Sequence, residues 1–146
     1  MRARTALLLA LLFVGLGLLI TQCPANRDGM PGQLAQSMQE TTAAARSGAF
    51  ALQLWTQRKS TAELTSVALS DARDEVVKAY KTIAELKAGD PVDLGRQEML
   101  TRSMTRIIGR LNAASAVIRG VTAEPAADEA RADLIASADA LESGYR

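Results

Sequence analysis

Between residues 100 and 121 the chain carries Leu100, Met104, Ile107, Leu111, Ala114, Ile118 and Val121, an apolar series whose intervals alternate four and three without a break. That spacing follows the turn of an α-helix and puts all of these side chains on one stripe. A strand, whose side chains alternate with a period of two, would scatter them over both faces. A helix with such a stripe is expected to bury it against other helices.

The pattern recurs along the chain. A first helical segment is expected from about Gly32 to Lys59, with Leu34, Met38, Thr41, Ala45, Gly48, Leu52 and Trp55 inward. A second, ending near Ala88, carries Leu69, Ala72, Val76, Ala79, Ile83 and Leu86. A fourth has Ala127, Ala130, Leu134, Ala138, Leu141 and Tyr145 on its inner face. Between them, Ser60-Thr61-Ala62-Glu63 reads as a capping box after the basic pair Arg58 and Lys59. Gly89 reads as a helix C-cap, Asp90 as an N-cap and Pro91 as a first-turn residue. The third helix is expected to end near Thr122 to Glu124, and Pro125 to open the fourth, with Asp128 and Glu129 in its first turns. Aromatic residues are 3% of the chain, so the core must be built from Leu, Ile, Val, Met and Ala, a helix-favouring set. Short connections make successive helices antiparallel neighbours. The expected fold is all-α, an antiparallel up-down four-helix bundle over residues 32–146. Because no Gly or Pro marks the boundary at Ser60, three helices with one long first rod are the alternative.

The N-terminal segment is of another kind. Arg2 and Arg4 precede an apolar run from Ala6 to Ile20, roughly 22 Å long as a helix. A run of that length suits a signal-peptide core better than a membrane span, which takes about 20 apolar residues. The run Ile20-Thr21-Gln22-Cys23 follows, with the only cysteine of the chain. It resembles the lipobox of bacterial lipoproteins, although Gln22 stands where Gly, Ala or Ser is usual. The resemblance implies a signal peptide over residues 1–22, lipid attachment at Cys23, and a lipidated N-terminus and tether over residues 23–31. The tether reading also draws on the composition of Pro24-Ala25-Asn26-Arg27-Asp28-Gly29-Met30-Pro31. Two lipid chains would give stable anchoring. An uncleaved N-terminal helix with its arginines inside, or cleavage after Ala25 and free secretion, are the alternatives. All three readings place the remainder outside the cytoplasm.

Without residues 1–22 the chain has 15 basic and 16 acidic side chains. Near-neutrality gives no reason to expect nucleic-acid binding, which wants a strongly basic face. The chain has no histidine. That removes the Glu-x-x-His di-iron pattern and His-ligated haem, and it leaves Cys23 without an activating partner. No Gly-rich phosphate loop or Gly-x-Ser-x-Gly elbow occurs. Met38 and Met104 read as core fillers, and Asp71 with Glu75, or Asp128 near Asp133, as solvated pairs. No cofactor, no metal and no catalytic residue is expected.

Arg102, Arg106 and Arg110, at intervals of four, are the most ordered polar feature. From Glu124 to Arg146 the chain holds six acids against two arginines, so one reading pairs the arginine row with the fourth helix. The other has the row contact an anion, a phospholipid headgroup or a partner. Trp55 either plugs the bundle end or anchors a partner. The small residues Ala43, Ala44, Ala45, Ser47, Gly48 and Ala49 allow a close helix approach, within one chain or across a dimer. Together these features suggest a membrane-tethered, non-enzymatic binding or scaffold module of the bacterial cell envelope, an accessory subunit or assembly partner of another envelope protein. A lipid or small-molecule carrier with an apolar cavity, and a self-associating coiled-coil protein forming homo-oligomers, are the alternatives.

Overall fold

The computed structural model describes residues 29–146, which form four helices: α1 (Met30–Thr56), α2 (Ala62–Ala84), α3 (Pro91–Ile118) and α4 (Ala127–Tyr145). They make the expected antiparallel four-helix bundle. Each helix packs on its neighbours in sequence, α4 returns to pack on α1, and α1 also meets α3 across the diagonal, whereas the backbones of α2 and α4 stay farther apart. The start of α1, the α2–α3 connection and the end of α4 therefore share one end of the bundle.

The diagonal is closed on the α1 side because its residues there are small. Ala44, Ala45, Gly48 and Ala49 are buried, and a Cβ added at Gly48 would lie 2.6 Å from Leu111 Cδ2. Around this point Leu34, Leu52, Leu69, Ile83, Leu100, Met104, Ile107, Leu134 and Leu141 are under 2% exposed. Burying a large apolar side chain of this kind contributes about 1.5–3 kcal/mol. Thr41 is also fully buried, and its hydroxyl donates to the Ser37 carbonyl at 2.7 Å, so no polar atom is stranded. Met38, Trp55, Leu86, Ala127 and Tyr145 pack against this core while partly exposed.

The helix ends depart from expectation in ways that have local causes. No long first rod exists, because the chain leaves the helix after Thr56. Arg58 takes a left-handed conformation (φ 57°), its N–H donates to Trp55 O, and Lys59 N–H donates to Leu54 O, both at 2.8 Å. That is a Schellman ending with arginine in the place glycine usually holds. The next N-cap is then Thr61, not Ser60, and its hydroxyl accepts from Leu64 N–H at 3.3 Å. Glu63 sits one position earlier in the helix than a box on Ser60 would place it. Its carboxyl is held below the usual range by its own backbone N–H and the Thr61 hydroxyl.

Gly89 caps nothing: α2 stops at Ala84 with Glu85 as C-cap. The carbonyls freed there are taken by a side chain from the next helix. Gln97 Nε2 donates to Ile83 O at 2.6 Å and to Leu86 O at 3.0 Å. Gln97→Leu keeps the volume, takes the side-chain donor from Leu86 O and leaves Ile83 O with only the Leu86 N–H at 3.2 Å, and should lower stability by about 1 kcal/mol in urea denaturation; an unchanged midpoint would mean that water replaces the amide without loss. Asp90 is the N-cap of α3 as expected, accepting from Val92 and Asp93 N–H at 2.8 and 2.9 Å, with Pro91 in the first turn. α3 ends at Ile118, earlier than expected, because Gly120 (φ 71°) makes a second Schellman ending; Val121 is thereby taken out of the seam and is 69% exposed. α4 starts at Ala127, two residues after Pro125.

Candidate functional site

Cys23, the signal-peptide segment and most of the tether lie outside the described residues. Met30 and Pro31, which the sequence reading assigns to a tether, belong to the first helix. α1 is already helical at Met30, with Pro31 in its first turn and Gly29 (φ 107°) as N-cap, its carbonyl accepting from Gln33 N–H at 3.2 Å. Proline is suited to that first turn because its missing N–H would have no helical partner there. A polar cluster closes the same end of the bundle. Asp93, 5% exposed, faces Arg96 at 3.6 Å. The Arg96 guanidinium lies 5.6 Å from the centre of the Tyr145 ring, and the Tyr145 hydroxyl donates to Pro31 O at 3.4 Å. Tyr145, whose hydroxyl pKa is raised by burial, thus links the start of α1 to α3 and α4.

The arginine row does not act as one unit. Arg110 alone reaches α4: its guanidinium donates to Asp133 O at 2.9 Å and lies 3.8 Å from the Asp133 carboxylate. Arg102 leans back along its own helix to Glu98 at 3.9 Å, an exposed and weak contact. Arg106 is exposed and has no ion pair among the described residues. The acids near the end of α4 pair instead with a residue of α1. Arg46 forks onto Glu142, with bonds of 2.8 and 3.0 Å, and also reaches Asp139 at 3.0 Å. The fork holds the Glu142 carboxyl below its usual range and raises the Arg46 guanidinium above its own. The sequence signal for this clamp was two carboxylates three residues apart on α4, facing the helix that an up-down topology sets beside it.

Trp55 is partly buried against the core, near the α1–α2 turn. Met38 and Met104 pack in the core as expected, while Asp71 and Glu75 are exposed on α2. Among the described residues no group of three or more Cys, Asp or Glu side chains is arranged to hold a metal ion, and no helix is long and apolar enough to cross a membrane.

The outer surface carries two facing sets of features. On one side, a groove of about 470 Å³ between α1 and α2 has a floor of small residues, including Ala44, Ala68 and Ala72, and carries Glu40, Asp71 and Glu75. Toward the far end of the same hairpin Phe50, Leu64 and Val67 are 56–62% exposed. On the opposite side, α3 and α4 flank a concavity of about 270 Å³ lined by Arg106, Gly109, Arg110, Ala113, Pro125 and Ala130, among others. These faces are suited to contact and hold no nucleophile paired with a base. No protein-family model, curated protein or solved structure matches this chain.

Proposed function

We propose that this chain is a membrane-tethered, non-enzymatic helical binding module of the bacterial cell envelope, an accessory subunit or assembly partner held at the membrane by lipid on Cys23. The observation that carries the proposal is the run Ile20-Thr21-Gln22-Cys23 at the end of a short apolar segment, a few residues before a folded bundle. Three features of the bundle support the binding part of the reading. Large apolar side chains stand exposed at Phe50, Leu64, Val67, Val92 and Leu94. Charge is separated between the α1–α2 groove and the outer side of α3. The seams between helices are filled, with Leu111 against Gly48, which gives a carrier cavity no support.

Intact mass spectrometry of membrane-fraction protein from a bacterial host, beside a Cys23→Ser control, tests the anchor. The expected species begins at Cys23 and carries added diacylglycerol mass; in the control that species is lost and the protein leaves the membrane pellet. A mass of the full chain, or one beginning at Asn26, in both samples would overturn it.

A further inference from the structure

We infer that the partner of the α1–α2 groove is the α3–α4 face of a second copy of this chain, in a head-to-tail contact between bundles standing side by side. The inference rests on reading the bundle as a binding module, and its geometry is that of copies tethered in one membrane.

The charges match in sign and in spacing. Asp71 and Glu75 are four residues apart on α2, and Arg102 and Arg106 are four residues apart on α3. Both pairs therefore present two charges one helical turn apart. They also match in height. At 1.5 Å per residue, Glu75 and Asp71 lie roughly 14–20 Å from the α2–α3 connection, and Arg102 and Arg106 roughly 16–23 Å from it. Two bundles anchored by the same end stand the same way up, so the acidic row of one faces the basic row of the next at one level. The rows are also available. Asp71, Glu75 and Arg106 are exposed and have no ion pair among the described residues, and Arg102 has only its weak contact with Glu98.

The apolar features agree in height as well. Leu64 and Val67 stand roughly 26–30 Å above the same connection on the acidic side, and Gly109 and Ala113 roughly 27–33 Å above it on the basic side. The exposed side chains of one copy thus meet the α3–α4 concavity of the next. The two surfaces differ: the acidic row borders the α1–α2 groove, whereas Arg106 borders the α3–α4 concavity and, with Arg102, the outer side of α3 toward Tyr80, where Glu98 also lies. Such a contact is heterologous. It leaves a free groove and a free row on every pair, so it grows into a row of copies or closes into a ring.

Charge inversion of the full chain in detergent, sized by sedimentation velocity, tests this. Wild-type protein should form a series of assemblies at low salt that shrink toward monomer at about 1 M salt, where the Debye length is about 3 Å. Asp71→Lys/Glu75→Lys and Arg102→Glu/Arg106→Glu should each be monomeric with unchanged helical circular dichroism. Mixed together they should recover assemblies of wild-type size, since the intact row of one variant meets the intact groove of the other, and the inverted groove and inverted row again carry opposite charge. A monomeric wild type, assemblies indifferent to both inversions and to salt, or a mixture that stays monomeric would overturn the inference. A monomer that still carries lipid and co-purifies with a different envelope protein would remove the second copy as partner and leave the binding-module reading standing. Assemblies of a chain lacking lipid would keep the second copy as partner and remove the anchor at Cys23.

Discussion

Leu111→Ala should lower stability by about 2–5 kcal/mol in urea denaturation, and it should reverse the effect of Gly48→Ala. Leu111 is 1% exposed and lies where α1 and α3 cross; a Cβ on Gly48 would sit 2.6 Å from its Cδ2, with Leu69 and Leu134 methyls at 3.5 and 3.6 Å. Two effects compete when alanine replaces Gly48. Alanine is favoured over glycine within a helix by about 1 kcal/mol. Against this, forcing a methyl into a packed core costs about 1–3 kcal/mol. Because Leu111 Cδ2 would be overlapped, with the Leu69 and Leu134 methyls already in contact beside it, and Leu111 has no solvent to move into, the steric term wins, and Gly48→Ala alone should lose about 1 kcal/mol. Once Leu111 is alanine, the space it leaves accepts the new methyl. The same substitution should then gain about 1 kcal/mol, from helix propensity and from filling the cavity. The coupling between the two sites is therefore about 2 kcal/mol, well above the few tenths expected of independent positions. Additive single and double variants would show that α1 and α3 adjust freely at the crossing.

The crossing also shows why the seams were legible in the sequence. Leu100, Met104, Ile107, Leu111, Ala114 and Ile118 are all buried, as the 4-3 spacing required, because helix geometry sets the periodicity whatever the partner. Gly48 was identified as an inward small residue, but its partner could not be: that α3 rather than α2 fills the notch depends on which diagonal of the bundle closes. Helix ends were less legible for a similar reason. Gly89 looked like a cap and Gln97 supplied one from the next helix, an arrangement that exists only after α2 and α3 pack. The arginine row split because an arginine pairs with whatever carboxylate the packing brings near. Arg110 met Asp133, whereas Asp139 and Glu142 were already held by Arg46. Cys23 lies outside the described residues, so the anchor still rests on the lipobox-like run.

The two Schellman endings permit a matched pair of substitutions with opposite signs. Arg58→Gly should raise stability by about 0.5–1 kcal/mol, and Gly120→Ala should lower it by about 1–2 kcal/mol. Both residues sit at the position after the C-cap, with φ of 57° and 71°, and both endings carry the same pair of backbone hydrogen bonds, at 2.8 Å for Arg58 and 2.9 Å for Gly120. The left-handed region costs a residue with a Cβ roughly 1–2 kcal/mol and costs glycine almost nothing. At residue 58, glycine removes that strain but adds freedom to the unfolded chain worth roughly 0.5–1 kcal/mol, so only part of the gain survives. At residue 120 the two terms do not cancel fully either: alanine restricts the unfolded chain but must take up the strain. Neither site has packing to obscure the comparison. Arg58 is exposed with no ion pair among the described residues, and a Cβ at Gly120 meets nothing within 4 Å. Equal and small effects at both positions would mean that these turns relax out of the left-handed region at little cost. If instead the signs differ as expected, the α1–α2 boundary is imposed by the packing of two helices on one core. At the end of α3, glycine would have made the break whether or not the helices had packed.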